Sequence, residues 1–225
     1  MRIKFQKTLW TSVAVATIFA ICAVPASAQA GTGFVEFYGG ITFIGGDINL
    51  PCGGNIVCVP EGAEVNIADV KSDFDDDTPM FGIGLGYRRS DKFGIVGTLT
   101  WVDGDDTFGA PFEGSPLELD IFFFDLSFQF FPGGKNFYFL VGPGFADIEA
   151  STTVQAVGIP ELPSVTVDLS ASETTFTAHV GAGREFNFGE RAFFRGQSKV
   201  RWIDSDVYDD VDIEVSVGIG IRWGG

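Results

Sequence analysis

Apolar residues recur at every second position in eight stretches of this chain, and clusters of Gly, Pro and Asp separate the stretches. In the first, Val35, Phe37, Ile41 and Phe43 share one face and Glu36, Tyr38 and Thr42 the other. Phe81, Ile83, Leu85 and Tyr87 then alternate with Gly82, Gly84, Gly86 and Arg88, and Phe93, Ile95, Leu99 and Trp101 with Gly94, Thr98 and Thr100. The fourth sets Phe122, Phe124, Leu126, Phe128 and Phe130 against Phe123, Asp125, Ser127 and Gln129. Phe137, Phe139, Val141 and Phe145 oppose Tyr138, Gly142, Gly144 and Ala146 in the fifth. The sixth runs through Phe176, Ala178, Val180 and Ala182, with Thr175, Thr177, His179, Gly181 and Glu185 facing away. Phe194, Val200 and Trp202 oppose Arg195, Gln197, Lys199 and Arg201 in the seventh; the eighth alternates without a break from Val211 to Trp223.

The connections alternate in length. Ser90-Asp91-Lys92, Pro132-Gly133-Gly134-Lys135 and Gly189-Glu190-Arg191 are short; residues 44–77, 104–117, 150–172 and 204–210 form the long links. Short turns on one side and long loops on the other predict an eight-stranded antiparallel up-and-down transmembrane barrel, both chain ends lying at the short-turn, periplasmic side. A secreted lipocalin-like barrel, soluble and ligand-binding, is the competing architecture. Its outer positions would be rich in Lys, Glu and Thr. Here the polar faces combine Gly with isolated charges, which suits a narrow interior, and the other face is Phe, Leu, Ile and Val. Two positions strain the pattern. Pro143 cannot donate to a ladder, so a bulge or distortion is expected there; Arg184 faces outward, where it can snorkel to the periplasmic interface.

The first residues read as an address. Arg2, Lys4 and Lys7 precede an apolar run from Leu9 to Val24, then Pro25 and Ala26-Ser27-Ala28. Residues 1–28 are thus expected to be a cleaved signal peptide, an uncleaved anchor being the alternative, and residues 29–225 the barrel domain. Cleavage removes 3 of the 14 basic residues, leaving 11 against 30 acids, a formal charge of −19. That balance excludes nucleic acid as a partner, because phosphate binding needs clustered cations. Export also makes Cys52 and Cys58 candidates for a disulfide around one loop, with two free thiols as the alternative.

The leader, the eight alternating stretches and the final Val215–Trp223 run resemble the OmpA-type outer membrane β-barrel superfamily. The resemblance covers nearly all of residues 31–225 as a pattern, without a signature motif. It implies a Gram-negative outer membrane location, with membrane lipids, lipopolysaccharide and the barrel-assembly machinery as partners. The aromatic residue that this machinery reads would be Trp223, followed here by Gly224-Gly225. A structural or surface-interaction protein with a plugged lumen is expected; a narrow porin-like channel is the alternative.

Three constellations are candidates for chemistry. Arg195, Lys199 and Arg201 share the lumen face of stretch seven, and Glu36, Asp120, Asp125, Glu185 and Glu214 are their candidate partners. Ions in so narrow a space must pair or be hydrated, giving either an internal ion-pair plug or a gate for small ions. Acids converge on the long-loop rim: Asp73, Asp75, Asp76 and Asp77; Asp103, Asp105 and Asp106; Asp204, Asp206, Asp209 and Asp210. They form a solvated anionic collar or a low-affinity Ca²⁺ or Mg²⁺ site bridging to lipopolysaccharide phosphates, without EF-hand spacing. His179, the one histidine, lacks the Ser two positions on that barrel lipid deacylases use, since residue 181 is Gly. A hydrogen-bonded lumen His, with no enzymatic role and no cofactor, is therefore expected. Finally, Thr153–Val157 and Val165–Leu169 keep alternating around Gly158–Pro163, which predicts a hairpin protruding past the membrane whose exposed edge could recruit an adhesion partner.

Overall fold

Alternation with period two folds as sheet wherever the two sides of the pleat meet different media. The computed structural model describes residues 31–48, 73–107, 116–132, 136–156, 165–188, 190–205 and 207–224. They form β1 (Thr32–Ile48), β2 (Asp73–Ser90), β3 (Phe93–Thr107), β4 (Pro116–Phe130), β5 (Phe137–Ala156), β6 (Val165–Phe188), β7 (Ala192–Ile203) and β8 (Tyr208–Trp223). Every strand is antiparallel to the next, and β8 pairs with β1 to close a barrel. The proposed leader and the Cys52–Cys58 segment lie outside the described residues.

Pairing fixes the width of the cylinder. A walk along paired residues leads from Gly33 through Tyr87, Ile95, Phe128, Val141, Val180, Val200 and Ile213 to Phe43, which is 43 − 33 = 10 residues further along β1. With ~3.3 Å per residue and ~4.7 Å between strands, this stagger tilts the strands by about 41° and gives a wall radius of about 8 Å. Large inward side chains therefore need small neighbours. Tyr38 lies directly across from Gly82, Phe34 from Gly86, Tyr138 from Gly183 and Phe193 from Gly220. A Cβ on Gly82 would fall 2.4 Å from the Tyr38 ring, so the glycine is what lets the ring lie flat across the wall.

The outer surface is apolar over a band bounded by aromatic residues. Towards the short-turn end these include Phe93, Phe130, Phe137, Phe186, Phe188 and Trp223; towards the other end Phe81, Trp101, Phe122, Phe145, Phe176 and Trp202. Phe81 stacks on Trp101 at 5.5 Å, Trp101 meets Phe122 at 5.3 Å, and Phe145 meets Phe176 edge-on at 5.8 Å. Between the two belts, Phe37, Val141, Val180, Val215 and Val217 are exposed. A belt of this kind belongs at the edge of hydrocarbon.

Beyond the second belt the polarity inverts. On β4, Leu117, Leu119 and Ile121 point inward and are buried while Glu118 and Asp120 point outward; below Phe122 the same strand puts Asp125, Ser127 and Gln129 inside. β5 makes the same switch, with Ala146, Ile148 and Ala150 inside and Asp147 and Glu149 outside. This inversion is why the strands outrun the alternation read from sequence. β1 continues to Ile48 and β2 starts at Asp73, β3 and β4 pair to Thr107↔Pro116, and β5 and β6 to Ala156↔Val165. The expected long links 44–77, 104–117, 150–172 and 204–210 are correspondingly shortened, because a wall surrounded by water keeps its period but swaps its faces. The β5–β6 extension matches the expected hairpin.

Pro143 does not create a bulge. The β4–β5 ladder has no pairing between Leu126–Ser127 and Gly142–Pro143, yet Asp125↔Gly144 and Phe128↔Val141 remain in step on either side. The register shift lies instead in β2–β3, between Arg88 and Ser90.

A charge placed on the apolar band should report its environment. Val217 sits midway along the outward row of β8, so Val217→Arg is expected to cost about 2–4 kcal/mol. Urea unfolding of the protein in lipid vesicles, followed by tryptophan fluorescence, measures this; an effect below about 0.5 kcal/mol, typical of a water-exposed surface site, would contradict a hydrocarbon contact.

Candidate functional site: two stacked layers in the lumen

Inward positions on β7 occur every second residue, so Arg195, Gln197, Lys199 and Arg201 climb one wall of the lumen. Their neighbours supply the acids. Glu185 on β6 pairs with Arg195, and Glu214 on β8 pairs with Lys199 in the strand register. Asp125 reaches across the lumen from β4, and Glu36 from β1.

Two charge groups result. In the upper one, Arg201 grips Asp125 with both ends of its guanidinium, Nη1 to Oδ1 at 2.5 Å and Nη2 to Oδ2 at 2.7 Å, and donates from Nε to Glu214 at 2.7 Å. Lys199 Nζ completes the square, 3.1 Å from Asp125 and 2.6 Å from Glu214. Two cations meet two carboxylates. In the lower group, Arg195 joins Glu36 at 2.6 Å and Glu185 at 2.5 Å, and Arg222 holds the other Glu185 oxygen at 2.6 Å. Arg88 stands 3.6 Å from that oxygen.

Aromatic faces cap the guanidinium planes. Arg201 lies 3.8 Å from the Phe123 ring centre, Arg222 4.2 Å from Phe193 and Arg88 3.9 Å from Phe131. Such contacts strengthen as water is excluded. Between the two groups, Tyr38 shares a 2.6 Å hydrogen bond with Thr100, and Tyr138 donates to Gln197 at 2.9 Å. The space left beside Glu36, Tyr38, Arg195 and Gln197 is about 10 Å³, room for roughly one water molecule.

Seven of the eight candidate network residues thus come together: Glu36, Asp125, Glu185, Arg195, Lys199, Arg201 and Glu214. Asp120 does not. It is exposed on the outer face opposite Asp103 and Glu149, because its alternation belongs to the inverted, upper part of β4. Arg222 and Arg88, absent from the expected network, share the parity of Gly220 and Gly86. That parity was the signal that places them inside.

His179 is buried and shares a 2.8 Å hydrogen bond from Nε2 with Ser127 Oγ, while Nδ1 faces Asp125 Oδ1 at 3.6 Å, beyond hydrogen-bond reach. The contact crosses β5 over Gly142; a Cβ there would lie 3.1 Å from His179 Cε1 and 1.8 Å from the Leu126 carbonyl oxygen. His179 is thus the hydrogen-bonded lumen residue expected from its position on the polar face. The partner sits two strands away, on a register that sequence spacing does not reveal.

Above the charges most of the lumen filling is hydrocarbon, interrupted by the buried Asp212, which accepts a hydrogen bond from the Tyr208 hydroxyl, and by Thr42, Thr78 and Thr152. Ile44, Met80, Val102, Leu117, Leu119, Ile121, Phe123, Ile148, Ile203 and Tyr208 belong to one buried cluster that, with Ala171 on β6, draws on all eight strands. On the outside of this segment Asp77, Asp103, Glu118, Asp120, Glu149 and Asp204 are exposed. Among the described residues no three His, Cys, Asp or Glu side chains are arranged to hold a metal ion. Asp77, Asp103 and Asp204 lie on this outer surface, whereas the side chains of Asp73, Asp75, Asp76, Asp105, Asp106, Asp209 and Asp210 and the whole of Asp206 fall outside the described residues. Cations are sorted in the opposite sense. Arg195, Lys199 and Arg201 are in the lumen, and Arg88, Arg89, Lys92, Arg184, Arg191 and Arg222 are at the short-turn end. No other Lys or Arg occurs among the described residues.

A closed antiparallel cylinder that is greasy outside and ionic inside, over a height framed by aromatic belts, is a transmembrane β-barrel of the bacterial outer membrane. The chain belongs to the outer membrane protein beta-barrel domain family, whose model matches residues 14–221. The same fold is seen in Ail, the attachment invasion locus protein of Yersinia pestis (11% identity, TM-score 0.54), covering 87% of this chain and 100% of that one. A major outer membrane protein from Thermus thermophilus (9% identity, TM-score 0.56) and neisserial surface protein A (12%, 0.50) are similar over 87% of this chain and all of theirs. No curated protein matches in sequence.

The upper charge group makes a sharp stability prediction. Arg201→Met leaves Asp125 and Glu214 with Lys199 as their single close cation, and it is expected to cost about 3–5 kcal/mol. Urea unfolding in vesicles reads the loss. A cost under about 1 kcal/mol, the value for solvated surface pairs, would mean that water reaches this group.

Proposed function

We propose that the protein is a non-conducting outer membrane barrel with a structural and surface-interaction role, and not an enzyme or a pore. The single observation that carries this reading is the stacking of two unlike fillings in one lumen: an ion-pair layer inside the membrane and a largely apolar layer above it. An ion crossing the barrel would have to break a guanidinium–carboxylate fork and then shed its water among Leu119, Ile121 and Phe123. The Ser127–His179–Asp125 row is read as structural for the same reason. All three side chains are buried, and Asp125 is already committed to Arg201 and Lys199.

The surface role falls to the acidic outer wall above the membrane and to the β5–β6 hairpin. β6 starts twelve residues before its first β7 partner, Thr177↔Ile203, so its upper part offers a sheet edge to an external protein. The outward acids suit divalent counter-ions bridging to lipopolysaccharide phosphates. Ail has been seen in complex with the heparin analogue sucrose octasulfate; the carboxylates outside this barrel instead favour cationic partners.

Planar-bilayer recording of the refolded mature protein tests the seal. Wild type is expected to give no reproducible conductance steps in molar salt, and a defined step would assign the protein as a narrow channel instead. Calorimetric titration with calcium should give binding heat at millimolar concentration; a flat titration would remove the bridging role.

A further inference from the structure

Arg184 is a charge on the wrong side of the wall. It lies on β6 between Ala182 and Phe186 on the outward row, is exposed, and pairs across the sheet with Phe137 and Gly196. Its guanidinium lies 5.0 Å from the Phe186 ring centre, at the level of the lower aromatic belt. No carboxylate is bonded to it among the described contacts, whereas every lumen cation has one. Beside it, the outward position of Gly196 is open, with nothing within 4 Å of where a Cβ would stand. A cation on the lipid face costs about 2–4 kcal/mol at the bilayer midplane and falls to ~0–1 kcal/mol when its charge meets the headgroups.

The surroundings say which headgroup. Arg89, Lys92 and Arg191 are exposed at the same end of the barrel, and Asp91 and Glu190 are the exposed acids among them. Among the described residues, four cations against two acids leave this rim positive, while the opposite outer wall carries acids and no described cation. We propose that the periplasmic rim selects anionic phospholipid of the inner leaflet, with the Arg184 guanidinium binding the lipid phosphate and Arg191, Arg89 and Lys92 supplying the surrounding positive field. A membrane-embedded Arg suits this because its planar fork donates two parallel hydrogen bonds to phosphate oxygens, and basic residues near a membrane surface contribute about 1 kcal/mol each towards anionic lipid. The proposal is independent of whether the lumen conducts.

The test reads the lipid next to Arg184 directly. Phe186→Trp is made in a background where Trp101, Trp202 and Trp223 are Phe, and the protein is refolded in phosphatidylcholine vesicles containing dibrominated phosphatidylglycerol or dibrominated phosphatidylcholine. Quenching gives the relative binding constant of the two lipids at that site. A second protein retaining only Trp101 reports the opposite leaflet. Phosphatidylglycerol is expected to be favoured at least threefold at position 186 and about equally with phosphatidylcholine at Trp101. Arg184→Gln should bring the ratio at 186 close to one, and Arg184→Lys, which keeps the charge but not the fork, should give a ratio between that of Arg184→Gln and that of the wild type. Heat-dependent gel mobility confirms that each variant is folded. Equal binding at both reporters, a preference at Trp101 alone, or a ratio at 186 unchanged by Arg184→Gln would overturn the proposal.

Discussion

An ion enclosed by a wall of about 8 Å radius has almost no water to turn to, and the interior of this barrel is organised around that constraint. Asp125 and Glu214 are balanced by Lys199 and Arg201 at one level, and Glu36 and Glu185 by Arg195 and Arg222 at another. The upper four charges sum to zero, and Arg88, 3.6 Å from Glu185, adds one further cation at the lower level. The geometry is demanding because the partners come from six of the eight strands: β7 provides the three central cations, and β1, β2, β4, β6 and β8 the remainder. Closure of the sheet is therefore what satisfies the charges, and the charges in turn resist opening. Glycines belong to the same constraint, since Tyr38, Phe34, Tyr138 and Phe193 lie across the wall only where the paired residue has no side chain.

The medium outside the wall is not the same along its whole height. Where hydrocarbon surrounds the barrel, the buried face is polar and the exposed face apolar; above Trp101, Phe122 and Phe145 both assignments reverse. One continuous β4 thus behaves as a membrane strand from Phe122 to Phe130 and as a strand of a water-surrounded barrel from Leu117 to Ile121. The two lumen fillings seal in different ways. Ion pairs hold by directional bonds to fixed partners, and the largely apolar plug by exclusion of water.

The period of the backbone was legible directly. Alternation between Val211 and Trp223, or between Phe122 and Phe130, admits no structure but a strand, and its parity correctly put Arg195, Lys199 and Arg201 inside. Polarity was a poorer guide at Asp120. The residue is an acid in a strand whose lower acid, Asp125, is inward, but the two lie an odd number of positions apart, on opposite faces of the sheet. Parity sets which face each acid takes, and water alongside the upper part of β4 is what allows an acid on the outer one. The parity between the two acids was nonetheless legible: Asp120 shares the row of Phe122 and Phe124, and only its acidic character argued for the inside. Pro143 was legible as a missing donor, yet its consequence, an interrupted ladder rather than an extra residue, was settled by the neighbouring strands.

Residue order by itself determined the number of strands, their up-and-down succession and the face of each residue within the membrane band. These follow from local geometry: a strand has two faces and a turn has a length. Register was decided by the tertiary structure. A ten-residue stagger brings His179 over Gly142 to Ser127, and Asp125 within reach of Arg201 from the far wall. Such contacts depend on how closing the cylinder slides each strand against the next, and that displacement is a property of all eight strands together.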